Sequence, residues 1–260
     1  MLKGRTVLIT GSTAGIGFAG ACAFAAEGCN VVINGVEGPA VLREKEGLLR
    51  ERYGVEVLAS DADVGEAAAV ERLVAEAEAR FGAVDILVNN AVTRVFGPIE
   101  ECSVADWERA LSVNLSSAFH TIRCALPGMR ARGWGRIINV SSVFGLFAAA
   151  DRASYITTKT ALIGLTRAVA LETIKTEITC NAICPGSVNT THSGQVIAAM
   201  MEAEQLTEEA AIERFLVGRQ PGGRFVEPDS VAAMMTFLCG PGGRDISGAT
   251  LPIDLAWSVS

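Results

Sequence analysis

RTVLITGSTAGIG, residues 5–17, is the stretch on which the fold of this chain turns. A β-branched run ends at Thr10, three glycines follow at 11, 15 and 17, and an Ala-rich segment of helical period begins. Gly11 permits a tight turn. Gly15 and Gly17 let backbone approach a pyrophosphate and let the next helix pack closely on the strand. The start of that helix presents free N–H groups and partial positive charge to phosphates. Thr13 and Ile16 lie in the same turn. The spacing is G-x-x-x-G-x-G, and its position between a first strand and a first helix gives it meaning. Three glycines elsewhere would be an ordinary turn.

The same alternation continues along the chain. Strand-like runs fall at 5–10, 30–35, 55–60, 85–90, 135–142, 177–185 and 249–254. Helical segments fall between them, at 15–28, 37–53, 65–81, 103–132, 152–176 and 227–239. The strand runs are nearly continuous apolar stretches, as a sheet covered on both faces requires. The expected architecture is therefore α/β: a doubly wound, Rossmann-type, seven-stranded parallel sheet with helices on both faces, in a single domain over 1–260. One helical segment, about 187–226, is longer than a plain connection and follows a strand end. It reads either as a lid over a bound ligand or as a surface helix pair.

Composition narrows the function classes. Half of the residues are hydrophobic and the formal net charge is -7. An acidic chain without a basic stripe is a poor partner for nucleic acid or an anionic membrane. The N-terminus reads directly as a strand, and no apolar run is long enough to span a membrane. Seven scattered cysteines without a CxxC pair, and two isolated histidines, suit a reducing cytoplasmic compartment and offer no metal site.

The second strand ends at Asn34-Gly35-Val36-Glu37, where a dinucleotide fold meets the adenosine ribose. Asn34 or Glu37 can bond a ribose hydroxyl. Neither this stretch nor the 12–14 turn carries Arg or Lys to neutralise a 2′-phosphate, so the expected cofactor is NAD. Asp63-Val64 after the third strand can hold the adenine edge, and Asn89-Asn90-Ala91 ends the fourth with short side chains. Either pair can equally be a strand-terminal Asx turn.

The chemistry is read from SSVFGLFAAADRASYITTK, residues 141–159. Tyr155 and Lys159 are one helical turn apart and share a face. Free tyrosine ionises near pH 10, and a neighbouring ammonium favours the phenolate. Such a tyrosine can take a proton from an alcohol or give one to a carbonyl oxygen. Ser142, at a strand end, can bond the same oxygen.

Taken together, Thr10-Gly11, Gly15, Gly17, Asn89-Asn90-Ala91, Asn114, Ser142, Tyr155, Lys159 and Pro185-Gly186 resemble the short-chain dehydrogenase/reductase family over essentially the whole chain. The resemblance implies that Asn114, Ser142, Tyr155 and Lys159 are catalytic, with Asn114 holding a water that links Lys159 to proton exchange. It also implies that Pro185, Gly186, Val188 and Thr190 contact the nicotinamide, and that the chain is a homotetramer built through the helices at 103–132 and 152–176. A narrower resemblance, carried by VVING, GRIINVSSVFGL, NAICPG, RFVEP and Asp254-x-x-Trp257, is to the bacterial D-3-hydroxybutyrate dehydrogenases. Their substrate pocket is not reproduced. Arg94, Phe144, Arg152, Ser187 and Val196 stand where that subgroup has Gln, His, Lys, Trp and Gln, while Trp257 is kept. Gln195 is the neighbour that can substitute at 196. Val92 and Leu255-Ala256 replace glycines of the framework, and Val92 is expected to restrict the backbone beside the cofactor.

These changes touch recognition rather than hydride transfer. Arg94 and Arg152 can jointly clamp a carboxylate or another anion. The expected function is an NAD-dependent oxidoreductase acting on a 3-hydroxybutyrate-like hydroxy acid. A larger or neutral secondary alcohol, and a non-catalytic dinucleotide-binding sensor, are the competing readings.

Overall fold

The computed structural model describes residues 2–260. Seven strands, β1 (Thr6–Ile9), β2 (Asn30–Asn34), β3 (Val57–Ser60), β4 (Ile86–Asn89), β5 (Trp134–Val140), β6 (Glu177–Pro185) and β7 (Thr250–Ile253), form one sheet. All neighbours are parallel, and the order is β3-β2-β1-β4-β5-β6-β7. This is the doubly wound α/β sheet expected from the alternation of strands and helices.

Burial on both faces follows from the period of two within each strand. Val7, Ile9, Val31, Ile33, Ile86, Val88, Ile138 and Val140 point into one core. Helices α1 (Gly15–Ala26), α2 (Pro39–Tyr53) and α9 (Pro228–Cys239) cover it with residues such as Phe24, Leu49 and Met235. The alternate residues Leu8, Val32, Leu87 and Ile137 point the other way. There they meet α3 (Ala67–Phe81), α5 (Ser117–Arg132) and α6 (Ala153–Thr173). The nearly continuous apolar runs of the central strands are the consequence of this double coverage.

The helical stretch at 103–132 is not one helix. It divides into α4 (Val104–Leu111), a π-helical turn at Ser112–Ser116, and α5. A π-turn inserts one residue into the helical ladder, and such turns are common at functional sites. Asn114 lies inside this one. The 187–226 stretch contains α7 (Thr191–Glu204) and α8 (Glu208–Leu216), which share a small core of Ile197, Ala211, Leu216 and Phe225. Among the described residues no helix is long and apolar enough to cross a membrane.

The strand order reverses between β1 and β4. The carboxyl ends of β1, β4, β5 and β6 therefore open onto one crevice, where a parallel sheet of this kind binds ligands.

Candidate active site

The glycine turn is built against β4 as well as toward the crevice. Asn90 Nδ2 donates to Thr10 O at 3.0 Å and to Gly11 O at 2.7 Å, and Thr10 Oγ1 accepts from the Asn90 and Ala91 amides, both at 3.0 Å. Gly11 has φ +61°, and a Cβ there would lie 2.8 Å from Ala91 Cα. A Cβ on Gly17 would strike the Gly11 carbonyl and sit 2.6 Å from Asn90 Nδ2. These two glycines serve close packing. Gly15 is different: its φ is +53°, and a Cβ there would meet only the Thr190 side chain. Ala14, which precedes helix α1, offers no capping side chain, and the first turn of the helix carries no acidic residue. Its first N–H groups are thus left for an external acceptor, which fits the diphosphate of a dinucleotide.

At the ribose end, Asn34 is committed inward. It is buried, its Nδ2 donates to Ser60 O at 3.2 Å and Ala62 O at 2.8 Å, and its Oδ1 lies 3.4 Å from the Gly11 amide. Asn34 holds the ends of β1, β2 and β3 in register instead of presenting its amide to a ribose. The Glu37 carboxylate folds back beside Gly35 and Thr13. Val64 is buried. The Asp63 carboxylate accepts from the Gly65 amide at 2.8 Å and pairs with Arg109 at 2.9 Å. Burial raises its carboxyl, but the Arg109 and Gly65 hydrogen bonds outweigh that and hold it below the usual carboxylate range.

On the far side of the crevice, α6 presents Tyr155 and Lys159 on its buried face, 8 % and 2 % exposed. Lys159 Nζ donates to Val140 O at 2.7 Å, and Ser141 Oγ donates to the Lys159 carbonyl at 2.7 Å. These two bonds tie α6 to the end of β5, so that Ser142 and Tyr155 line one cavity. Ser142 Oγ also accepts from the Phe144 amide at 3.2 Å. The Lys159 ammonium lies 5.8 Å from the centre of the Tyr155 ring. Burial, reinforced by the Arg94 charge, lowers the Lys159 amine to about 7.

Asn114 reaches this site through the backbone of residue 93. Its Oδ1 accepts from the Thr93 amide at 2.7 Å, and its Nδ2 donates to Thr93 O at 3.0 Å and to Thr158 Oγ1 at 3.4 Å. The side chain is consumed in bracing the loop that carries Val92 and Arg94 against α6. Pro185, Gly186, Val188 and Thr190 follow β6. Val188 forms an isolated bridge with Val226, and Thr190 caps α7 in a capping box with Ser193.

A cavity of about 360 Å3 connects these elements and contains Ser142, Tyr155 and Lys159. Of the residues read from sequence as substrate contacts, Arg94, Phe144, Arg152 and Trp257 line it as well. Gln195 does not: it is exposed on α7, and Val196 takes the place on the cavity wall. A helix turns by about 100° per residue, so a neighbour in sequence cannot replace a side chain facing inward. Sequence reasoning missed Phe96, His192, Phe215 and Arg219, which also line the cavity. The wall is aromatic. Phe144 stands edge-on to Trp257 at 5.3 Å and to Tyr155 at 6.4 Å, and Phe96 edge-on to Tyr155 at 6.0 Å.

The framework replacements behave unlike the expectation. Val92 lies outside the left-handed region, so no backbone strain arises there. Leu255 and Ala256, at φ 52° and 69°, do lie in it, immediately before Trp257. The amides of Ala256 and Ser258 donate to the Asp254 carboxylate at 3.2 and 2.8 Å and hold the turn in place. Left-handed backbone costs a residue with a Cβ roughly 1–2 kcal/mol, part of which glycine returns as chain entropy. Ala256→Gly is therefore expected to stabilise the fold by about 0.5–1 kcal/mol in urea unfolding. An unchanged or lower midpoint would contradict the strain.

A sequence profile described as short chain dehydrogenase matches residues 5–201. The chain is 41 % identical over 257 residues to a D-beta-hydroxybutyrate dehydrogenase of Cupriavidus necator, covering 99 % of each. It is 38 % identical to one from Rhizobium meliloti, covering 98 % of this chain and 99 % of the relative. Among solved structures, L-sorbose reductase of Gluconobacter frateurii, complexed with NADPH and L-sorbose, superposes with a TM-score of 0.95 at 30 % identity, covering 100 % and 98 % of the two chains. An actinorhodin polyketide ketoreductase with NADPH gives 0.90 at 34 % identity, covering 98 % of each. With the family profile matching most of its length and relatives 38–41 % identical over nearly all of it, the chain belongs to the short-chain dehydrogenases, oxidoreductases of secondary alcohols.

Proposed function

We propose that this enzyme is an NAD-dependent dehydrogenase of a small hydroxy acid related to 3-hydroxybutyrate. A bound nicotinamide dinucleotide supplies the two-electron acceptor for the alcohol carbon. Gly15, Ile16, the uncapped start of α1, Asn90, Ala91, Pro185, Gly186, Val188 and Thr190 are the residues that would hold it. Tyr155 takes the hydroxyl proton of the substrate at its phenolic oxygen. Lys159 stands one helical turn away with its amine 5.8 Å from the Tyr155 ring centre, and Ser142 donates to the substrate oxygen. Asn114 acts here through the loop it braces, with the water-holding role of its family as a further expectation.

The observation that carries the cofactor choice is the Glu37 carboxylate beside Gly35 and Thr13, with no Arg or Lys in residues 12–14 or 34–37. A carboxylate accepts from a ribose hydroxyl and repels a 2′-phosphate. The expected result is a kcat/KM for NAD at least about 30-fold above that for NADP, reduced about tenfold in Glu37→Gln. Equal use of NADP by the wild-type protein would overturn this reading. The acid substrate is supported by the arginines of the cavity and by the hydroxybutyrate dehydrogenases among the relatives. Oxidation of 3-hydroxy acids, measured against neutral secondary alcohols of equal length, tests it.

Three further features complete the proposal. Helices α7 and α8, with their separate small core, act as the substrate lid. Phe119, Leu171 and Ile174 are exposed along α5 and α6 and provide apolar surface for a homotetramer. The seven cysteines are unpaired, which suits a cytoplasmic location.

A further inference from the structure

The cavity holds more positive charge than one carboxylate needs. Arg94, Arg152 and Arg219 all line it, from three separate parts of the chain: the loop after β4, the N-terminal boundary of α6, and the segment after α8. Among the described residues none of the three pairs with a carboxylate within 4.0 Å. This is a concentration of unneutralised cations in a protein of net charge -7.

Two of the guanidinium groups are held on aromatic rings. Arg152 Cζ lies 4.3 Å from the Phe96 ring centre and 5.0 Å from that of Phe144. Arg219 Cζ lies 4.1 Å from that of Phe215. A stacked guanidinium keeps its planar fork of donors in a fixed orientation before any ligand arrives. Both are half-buried. Burial lowers the Arg219 guanidinium, and the Arg152 charge lowers it further, so the two repel each other in the absence of an anion. Arg94 Cζ lies 6.0 Å from the Tyr155 ring centre, beside the reacting group. His192, also on the wall, is lowered by burial and then by Arg94, so it adds little charge at neutral pH.

We propose that the substrate carries two anionic groups: a carboxylate near the reacting hydroxyl, held by Arg94 and Arg152, and a second anion at the far end, held by Arg152 and Arg219. This deepens the hydroxy-acid reading above and rests on it. A second anion relieves the Arg152–Arg219 repulsion. Arg219 follows the lid helices, so the far anion also draws the lid onto the substrate. The far group is a carboxylate or a phosphate ester; guanidinium forks accept either.

The test compares 3-hydroxybutyrate with 3-hydroxyglutarate and with 4-phospho-3-hydroxybutyrate, in wild type, Arg219→Ala and Arg219→Gln. A dianion is expected to exceed 3-hydroxybutyrate in kcat/KM by about 100-fold, and both variants to lose most of that advantage. Their loss on 3-hydroxybutyrate should be at least about tenfold smaller than their loss on the dianions. Calorimetric titration of glutarate against butyrate gives a readout independent of turnover: tighter glutarate binding, lost in both variants. The better of the two dianions identifies the far group. A wild-type enzyme that prefers 3-hydroxybutyrate to both dianions overturns this inference and leaves the hydroxy-acid function standing. A wild-type enzyme that oxidises only neutral alcohols overturns both. Loss of dianion and monoanion activity in equal measure in the Arg219 variants also overturns it.

Discussion

Tyr155→Phe is expected to lower kcat by about 10³–10⁴-fold while dinucleotide binding stays within about threefold of wild type. The substitution deletes one oxygen and keeps the ring. The ring is what packs: it stands edge-on to Phe96 at 6.0 Å and to Phe144 at 6.4 Å, on a helix face that is buried. The fold and the aromatic wall therefore survive, and the loss falls on proton transfer alone. Lys159 cannot take over, because its Nζ is already directed to the Val140 carbonyl. Steady-state rates at saturating substrate, with dinucleotide affinity from calorimetry, separate the two effects. A variant retaining a tenth of the rate would remove Tyr155 from the chemistry. A wild-type protein that binds the dinucleotide with no tyrosine-dependent turnover would return the chain to the sensor reading.

That tyrosine was legible in the sequence because its partner is local: Lys159 lies one helical turn away, and helical geometry alone puts the two on one face. The sheet was legible for a similar reason. Strands buried on both faces are nearly continuous apolar runs, and the helices between them carry their own period. What escaped depends on contacts between distant parts of the chain. Asn34 reads as a ribose ligand until Ser60 and Ala62 are seen to take its amide. Arg219 carries no local signal; only the path of the 187–226 segment brings it to the cavity wall with Arg152. Gln195 and Val196 differ only in the phase of α7, which no local pattern fixed. Framework glycines were ambiguous in the same way. Replacing a glycine strains the backbone only where φ is positive, and that holds at Leu255 and Ala256 but not at Val92.

Lys159→Met is expected to reduce kcat by on the order of 10²–10³-fold and, at neutral pH, to make the protein more stable. In the folded chain burial lowers this amine from 10.5 to about 7. A shift of that size corresponds to a penalty on the order of 4 kcal/mol for keeping the ammonium inside at pH 7. Methionine fills similar space without charge, but leaves the Val140 carbonyl without its donor at roughly 1–3 kcal/mol. The net gain is about 2 kcal/mol at pH 7. The sign reverses with pH. Between about 7 and 10.5 the unfolded chain still binds the proton that the folded chain has released, so wild-type stability rises with pH through that window. By pH 9.5 about 3 kcal/mol of the penalty is gone, and the neutral amine still donates to Val140. Urea unfolding of both proteins at pH 7 and 9.5 should therefore show the methionine variant ahead at the lower pH and level or behind at the higher. A stability difference that does not change with pH would mean that Lys159 remains an ammonium throughout. A variant less stable at both pH values would mean that the lysine holds the fold together rather than straining it for catalysis.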